Sequence, residues 1–203
     1  MQSAAIGRLR VGSNATTWVK RAVSPAENAV AIEYLVHDSY VAPMNGLTIT
    51  ITSGCGRGPT SVAAFDEALR DAGVADYNLI PLSSVIPPRA VIQRDYFDSP
   101  SHEYGHRLYV VIARADASRV GEAAWAGLGW TQERDTGRGL FVELHGTSRR
   151  ELEDSIHATL DWMKSARAYE YGKNESELAG IECTGMPVCA VAVAVYTSAG
   201  WGG

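Results

Sequence analysis

A chain of 203 residues, 46% hydrophobic and 20% charged, is long enough to close one hydrophobic core and has the composition of an ordinary globular protein. Its net charge of −5 at pH 7 excludes a nucleic-acid surface built on basic patches, while a mild acidic excess suits a small cationic substrate. Three cysteines (Cys55, Cys183, Cys189) are too few for a disulfide framework, and no run is apolar and long enough for a signal segment or a bilayer span, so a reducing cytoplasm is the expected location.

Residues 1–44 are poorly patterned and read as a leader, within which 29–36 could form a short strand or helix. From 45 to 203 the pattern predicts a single domain. Alternating threonine and apolar residues over 47–52 read as a strand. A glycine-rich turn is expected at Gly54, Gly56 and Gly58, then a helix over 60–72. That helix carries Val62, Phe65 and Leu69 on one face and ends at Gly73 in the C′ position. Short strands follow over 90–93 and 108–113, and a helix is predicted over 118–128 although Gly121 and Gly127 weaken it. Residues 140–144 read as a strand. The clearest helix covers 149–168, opened by the capping box of Ser148 and Glu151, with Leu152, Ile156, Leu160 and Met163 on one face. The small apolar run 188–196 reads as a strand buried on both faces. Strands and helices interleave with no low-complexity linker and no repeat, which predicts one α/β-type domain.

The segment 78–88, Asn-Leu-Ile-Pro-Leu-Ser-Ser-Val-Ile-Pro-Pro, carries the chemistry. Two prolines remove two amide donors and fix two φ angles, so the chain beyond Ser84 is expected to be extended and stiff. A constrained serine hydroxyl shielded from water can attack the carbonyl before it. The resulting ester can eliminate to dehydroalanine, and hydrolysis then leaves a pyruvoyl ketone. Such a ketone forms a Schiff base with an amino acid and takes up electrons as CO2 leaves. By itself, Ser-Ser before Pro-Pro is more often a surface turn than a self-cleaving bond.

The stretch 51–88 resembles the signature region of the pyruvoyl-dependent arginine decarboxylases. It has their glycine-rich segment with a following threonine, then Ala64-Phe65-Asp66, Asp71-Ala72-Gly73, and Asn78-Leu-Ile-x-x-Ser83-Ser84-x-x-Pro87-Pro88, in order and at matching spacing. Weaker similarity runs through 139–143 to the Ala/Val-rich end, so the resemblance covers about 45–200. It implies a four-layer αββα sandwich of the pyruvoyl-dependent histidine and arginine decarboxylase kind. It also implies self-cleavage into a β chain ending at Ser83 and an α chain starting with a pyruvoyl group made from Ser84. The implied reaction is L-arginine to agmatine and CO2, serving acid resistance or polyamine supply, in a trimer of cleaved units with sites between neighbours. The same chemistry on histidine or lysine, and an uncut non-catalytic relative, are the alternatives. Met44 sits where many relatives would begin, so the start could lie there or at Met1.

The resemblance also implies site residues. Asp66 would take the substrate guanidinium as a bidentate fork, against the plain reading of an i,i+4 pair with Arg70. Leu69 would wall the aliphatic part of the substrate or serve as core. Asn78 would orient the processing bond, or is a turn residue. Glu143 would return the proton to the substrate carbon, against the plain reading of an exposed strand glutamate. On its strand Glu143 shares a face with Phe141 and His145, and a carboxyl half-buried beside an aromatic is a competent general acid.

Two further motifs are set aside. His102-Glu-Tyr-Gly-His106 fits a zinc-protease pattern that works only on a helix, whereas Pro100, Gly105 and the following strand predict a loop, so no metal is expected. A dinucleotide loop starting at Gly54 would need glycine where Pro59 stands.

Overall fold

The computed structural model describes residues 7–10, 16–19 and 46–202. The chain divides into two units, Met1–Met44 and Asn45–Gly203. In the first, β1 (Gly7–Arg10) pairs antiparallel with β2 (Thr16–Val19); the segment 29–36 lies outside the described residues.

The second unit holds two sheets. Strands β3 (Thr48–Arg57), β4 (Asn78–Pro81), β6 (Val91–Arg94), β7 (Arg107–Ala117) and β11 (Val188–Ala199) form a mixed sheet in the order β4-β7-β11-β3-β6. Strands β5 (Val85–Ile86), β8 (Ala123–Gln132), β9 (Gly139–Gly146) and β10 (Glu175–Glu182) form an antiparallel sheet in the order β10-β8-β9-β5. Residues from both sheets, among them Ile49, Val111, Leu128, Trp130, Phe141, Ala190 and Ala192, make the main core between them. Helix α1 (Ser61–Asp71) covers the outer face of the five-stranded sheet through a second core, and α2 (Arg149–Ser165) covers the four-stranded sheet through a third. The layers therefore run α1, sheet, sheet, α2, the four-layer αββα sandwich that was expected. Among the described residues no helix is long and apolar enough to cross a membrane.

Both helices start where their caps predict. Thr60 accepts a hydrogen bond from the Ala63 amide and Ser148 from the Glu151 amide, each satisfying one of the unpaired donors of a first turn. Gly73, at φ 77°, ends α1. Strand β11 is buried on both faces because it is central and covered by α1 on one side and the other sheet on the other.

Four expectations need correction. The glycine-rich segment is not a turn: β3 continues through it to Arg57. Its glycines serve the approach of α1, since a Cβ at Gly56 would collide with the Ala64 carbonyl and the Ala68 amide. The helix correspondingly buries Ala64, Ala68 and Leu69, while Val62 is 76% exposed. Small residues set that contact because backbone meets backbone there. The predicted helix over 118–128 is instead a turn followed by β8. Ala124, Ala126, Leu128 and Trp130 face the inter-sheet core while Gly127 and Gly129 lie under Ile156, a period of two that the glycines and alanines masked. The chain beyond Ser84 is extended only through β5. Ala90 N–H then donates to the Pro87 carbonyl at 3.2 Å, and Arg89 has φ 63°, as the third residue of a type II turn requires.

The close contact of α1 and β3 gives a first prediction. Gly56→Ala forces backbone apart, and overpacking of this kind costs about 3 kcal/mol. For a domain of this size that is a fall of roughly 6–12 °C in melting temperature. An unchanged melting curve would show that the helix does not rest on that glycine.

Candidate active site

The Ser83–Ser84 bond lies where the chain passes from one sheet to the other. Before it, β4 lies parallel to β7 in the five-stranded sheet, and the Leu82 amide donates to the Val110 carbonyl at 2.8 Å. After it, β5 joins β9 in the four-stranded sheet, and the Phe141 amide donates to the Ser84 carbonyl at 3.0 Å. Each side of the bond is thus anchored to a different layer, and only Ser83 and Ser84 span the gap.

Register on β9 decides what meets Ser84. Phe141 and Glu143 point into the space between the sheets, Val142 and Leu144 toward α2. The Ser84 hydroxyl donates to the Glu143 carboxylate, with Oε1 at 2.6 Å and Oε2 at 2.8 Å. The Val85 amide donates to the Ser83 carbonyl at 2.8 Å, closing a tight turn around Ser84. A hydroxyl on a carboxylate, beside a carbonyl that already accepts a hydrogen bond, has the parts of an activated nucleophile and a stabilised oxyanion.

Tyr196 completes the group, and sequence reasoning missed it. Its hydroxyl donates to the Val85 carbonyl at 2.8 Å, and its ring meets Phe141 edge-on, centroids 6.3 Å apart. Burial, reinforced by the charge of Glu143, pushes the Tyr196 phenol well above its ordinary pKa. It therefore stays a neutral donor. The available signal was a tyrosine closing a strand of alanines and valines, since a buried tyrosine needs a partner for its hydroxyl.

The other expected site residues do not meet Ser84 within one chain. Asp66 is exposed on α1 and lines a cavity of about 570 Å³ with Asp76, Asp98, Tyr96 and Tyr104. Arg70 pairs with Glu67 at 3.6 Å rather than with Asp66. None of Ser83, Ser84 and Glu143 lines that cavity. Leu69, only 9% exposed, belongs to the core beneath α1. Asn78 is exposed at the start of β4 and donates its amide to the Gly105 carbonyl at 2.7 Å. The segment of His102 and His106 is a 3-10 turn over Ser101–Glu103 entering β7, not an α-helix. Within it Glu103 accepts the Tyr77 hydroxyl at 2.6 Å, which holds its carboxyl below the usual range. Among the described residues no group of three or more His, Cys, Asp or Glu could hold a metal ion.

Comparison with known proteins bears on this geometry. The family model of the pyruvoyl-dependent arginine decarboxylases matches residues 48–200. A protein of that name from Halobacterium salinarum is 44% identical over 95 residues, 47% of this chain and 58% of its own length. One from Thermococcus kodakarensis is 30% identical over 146 residues, covering 71% of this chain and 91% of its own. The chain thus spans a little over half the length of the Halobacterium relative. Among solved structures, a pyruvoyl-dependent histidine decarboxylase aligns with 50% of this chain and 57% of its own, at 15% identity and a TM-score of 0.35.

Proposed function

The chain belongs to the pyruvoyl-dependent arginine decarboxylase family, and from that premise we propose that it cuts itself between Ser83 and Ser84 and decarboxylates L-arginine to agmatine and CO2. The observation that carries the reading is the short hydrogen bond from the Ser84 hydroxyl to Glu143. Glu143 takes the hydroxyl proton as Ser84 Oγ attacks the Ser83 carbonyl carbon, and the Val85 amide supports the oxygen that gains charge. The C–N bond then breaks and the nitrogen of residue 84 takes a proton, leaving an ester. Loss of the Cα proton of residue 84 expels Ser83 as a carboxylate and leaves dehydroalanine. Water replaces its nitrogen, which departs as ammonia, and the new chain end is a ketone.

The residues present fit a group made in this way. Phe141 holds the carbonyl of residue 84 and β9 holds β5, so the new end stays in place after the cut. The pyruvoyl group supplies the electron sink for the bond that loses CO2. Glu143, within hydrogen-bond reach of position 84, returns the proton to the substrate carbon. Asp66 takes the guanidinium as a bidentate partner, and Asn78 orients the segment leading to the bond. Because the cavity of Asp66 holds none of the Ser84 group, a neighbouring copy supplies Asp66, in a homo-oligomer taken to be a trimer of cleaved units. The cytoplasm suits three cysteines that are all free.

Intact-mass analysis of purified protein tests the first half. Two chains are expected, the larger beginning with a blocked residue 84. Incubation with carboxyl-labelled arginine, histidine and lysine tests the second half, and labelled CO2 is expected from arginine. A single uncut chain would favour a non-catalytic relative, and release from histidine or lysine alone would move the substrate.

A further inference from the structure

We propose that Tyr196 is a positioning residue for the cut. Its hydroxyl, reaching across from the other sheet, fixes the peptide after Val85 and through Val85 holds the Ser84 hydroxyl and the Val85 amide against the Ser83 carbonyl. The inference rests on the self-cleavage proposed above and adds a residue to it.

Strand β5 is only two residues long and lies at the edge of its sheet. Its partner β9 engages it from one side alone, and Val85 is 58% exposed. A pair this short at an open edge has little to fix its outward groups. Both outward groups of Val85 nevertheless have partners: the amide donates to Ser83 and the carbonyl accepts from Tyr196. Together with Phe141 on the Ser84 carbonyl, these bonds fix the peptide planes on either side of Val85.

The five-stranded sheet is shaped to deliver that hydroxyl. Along β11 the residues facing the other sheet are Val188, Ala190, Ala192, Ala194 and then Tyr196. Alanines let the sheets approach, and the one long polar side chain comes at the end, level with the crossing. The pairing of β11 with β7 shifts register between Val195 and Thr197, an irregularity of the kind that re-aims side chains near active sites. Phe141 packs edge-on against the tyrosine ring, so phenylalanine at 196 keeps the packing and deletes only the hydroxyl.

The test follows the full chain after cell-free synthesis and measures precursor loss by intact mass. Wild type and Tyr196→Phe are compared with Val193→Ala, a truncation in the core under α1 on the same strand, all at one temperature below the lowest of the three melting temperatures. Tyr196→Phe is expected to cleave at least about tenfold more slowly, the scale of one lost hydrogen bond to a group that must stay aligned, while Val193→Ala keeps the wild-type rate. Neutral hydroxylamine, which splits esters but spares amides, should not restore the Tyr196→Phe rate, because the slowed step is the attack that forms the ester. Cleavage of Tyr196→Phe at the wild-type rate overturns the role of Tyr196 alone, and so does rescue by hydroxylamine, which would place the defect after the ester. An equal slowing in Val193→Ala reduces it to stability. A wild-type chain that stays whole removes the cleavage itself, and the proposal with it.

Discussion

Ser84→Ala is expected to yield one uncut chain of 203 residues that releases no CO2 from arginine above background. The substitution deletes a single oxygen. The hydrogen bond from Phe141 to the carbonyl of residue 84 and the anchoring of β4 and β5 use backbone, so they survive, and the variant should melt close to wild type. With no hydroxyl, no ester can form, and the amide after Ser83 has only uncatalysed hydrolysis open to it. Without the cut there is no ketone at position 84, so both readouts vanish together. Intact mass and labelled CO2 check them separately. Turnover of arginine by an uncut Ser84→Ala chain would end the account, because the electron sink would then have to lie elsewhere.

Glu143→Gln has the next largest expected effect. Glutamine keeps the length of the side chain and an oxygen that can accept the Ser84 hydroxyl, but it can neither take up nor return a proton. General acid–base groups contribute about 10²–10⁴-fold, and both steps assigned to Glu143 should slow by that order. The cut should lengthen from the wild-type half-time accordingly, and any fraction that does cleave should turn over arginine slowly with its binding little changed. Single-turnover measurement on the cleaved fraction separates the two. Wild-type rates in both steps would leave the Ser84–Glu143 bond as plain structure.

The elements that could be read from the chain are those whose pattern is set by near neighbours. Helix α2 has a capping box and three core residues at helical spacing, and it forms as expected, ending at Ser165. Strand β11 is apolar and buried from Val188 to Tyr196, and only a doubly covered central strand explains that. Strand β8 misled because Gly127 and Gly129 carry no side chain to show the period, and their reason for being glycine is α2, which arrives later in the chain. Strand β10, with intermediate burial along most of its length, offered no alternation to find. Val62 looked like core until the alanine face of α1 proved to be the one that nests on β3.

For the site, local sequence singled out the bond proposed to be cut, because the motif around Ser83 and Ser84 is continuous in the chain and its chemistry needs only adjacent atoms. It also placed Glu143 on the same strand face as Phe141, since alternation along a strand is a property of the backbone. Only the tertiary structure decided that Glu143, 59 residues on, lies at 2.6 Å from Ser84, that the bond crosses between two sheets, and that Tyr196 reaches it from the opposite layer. These are matters of register and of sheet-on-sheet packing. They depend on which residues end up opposite one another, and a strand's own sequence carries the face a side chain takes but not the partner it meets there.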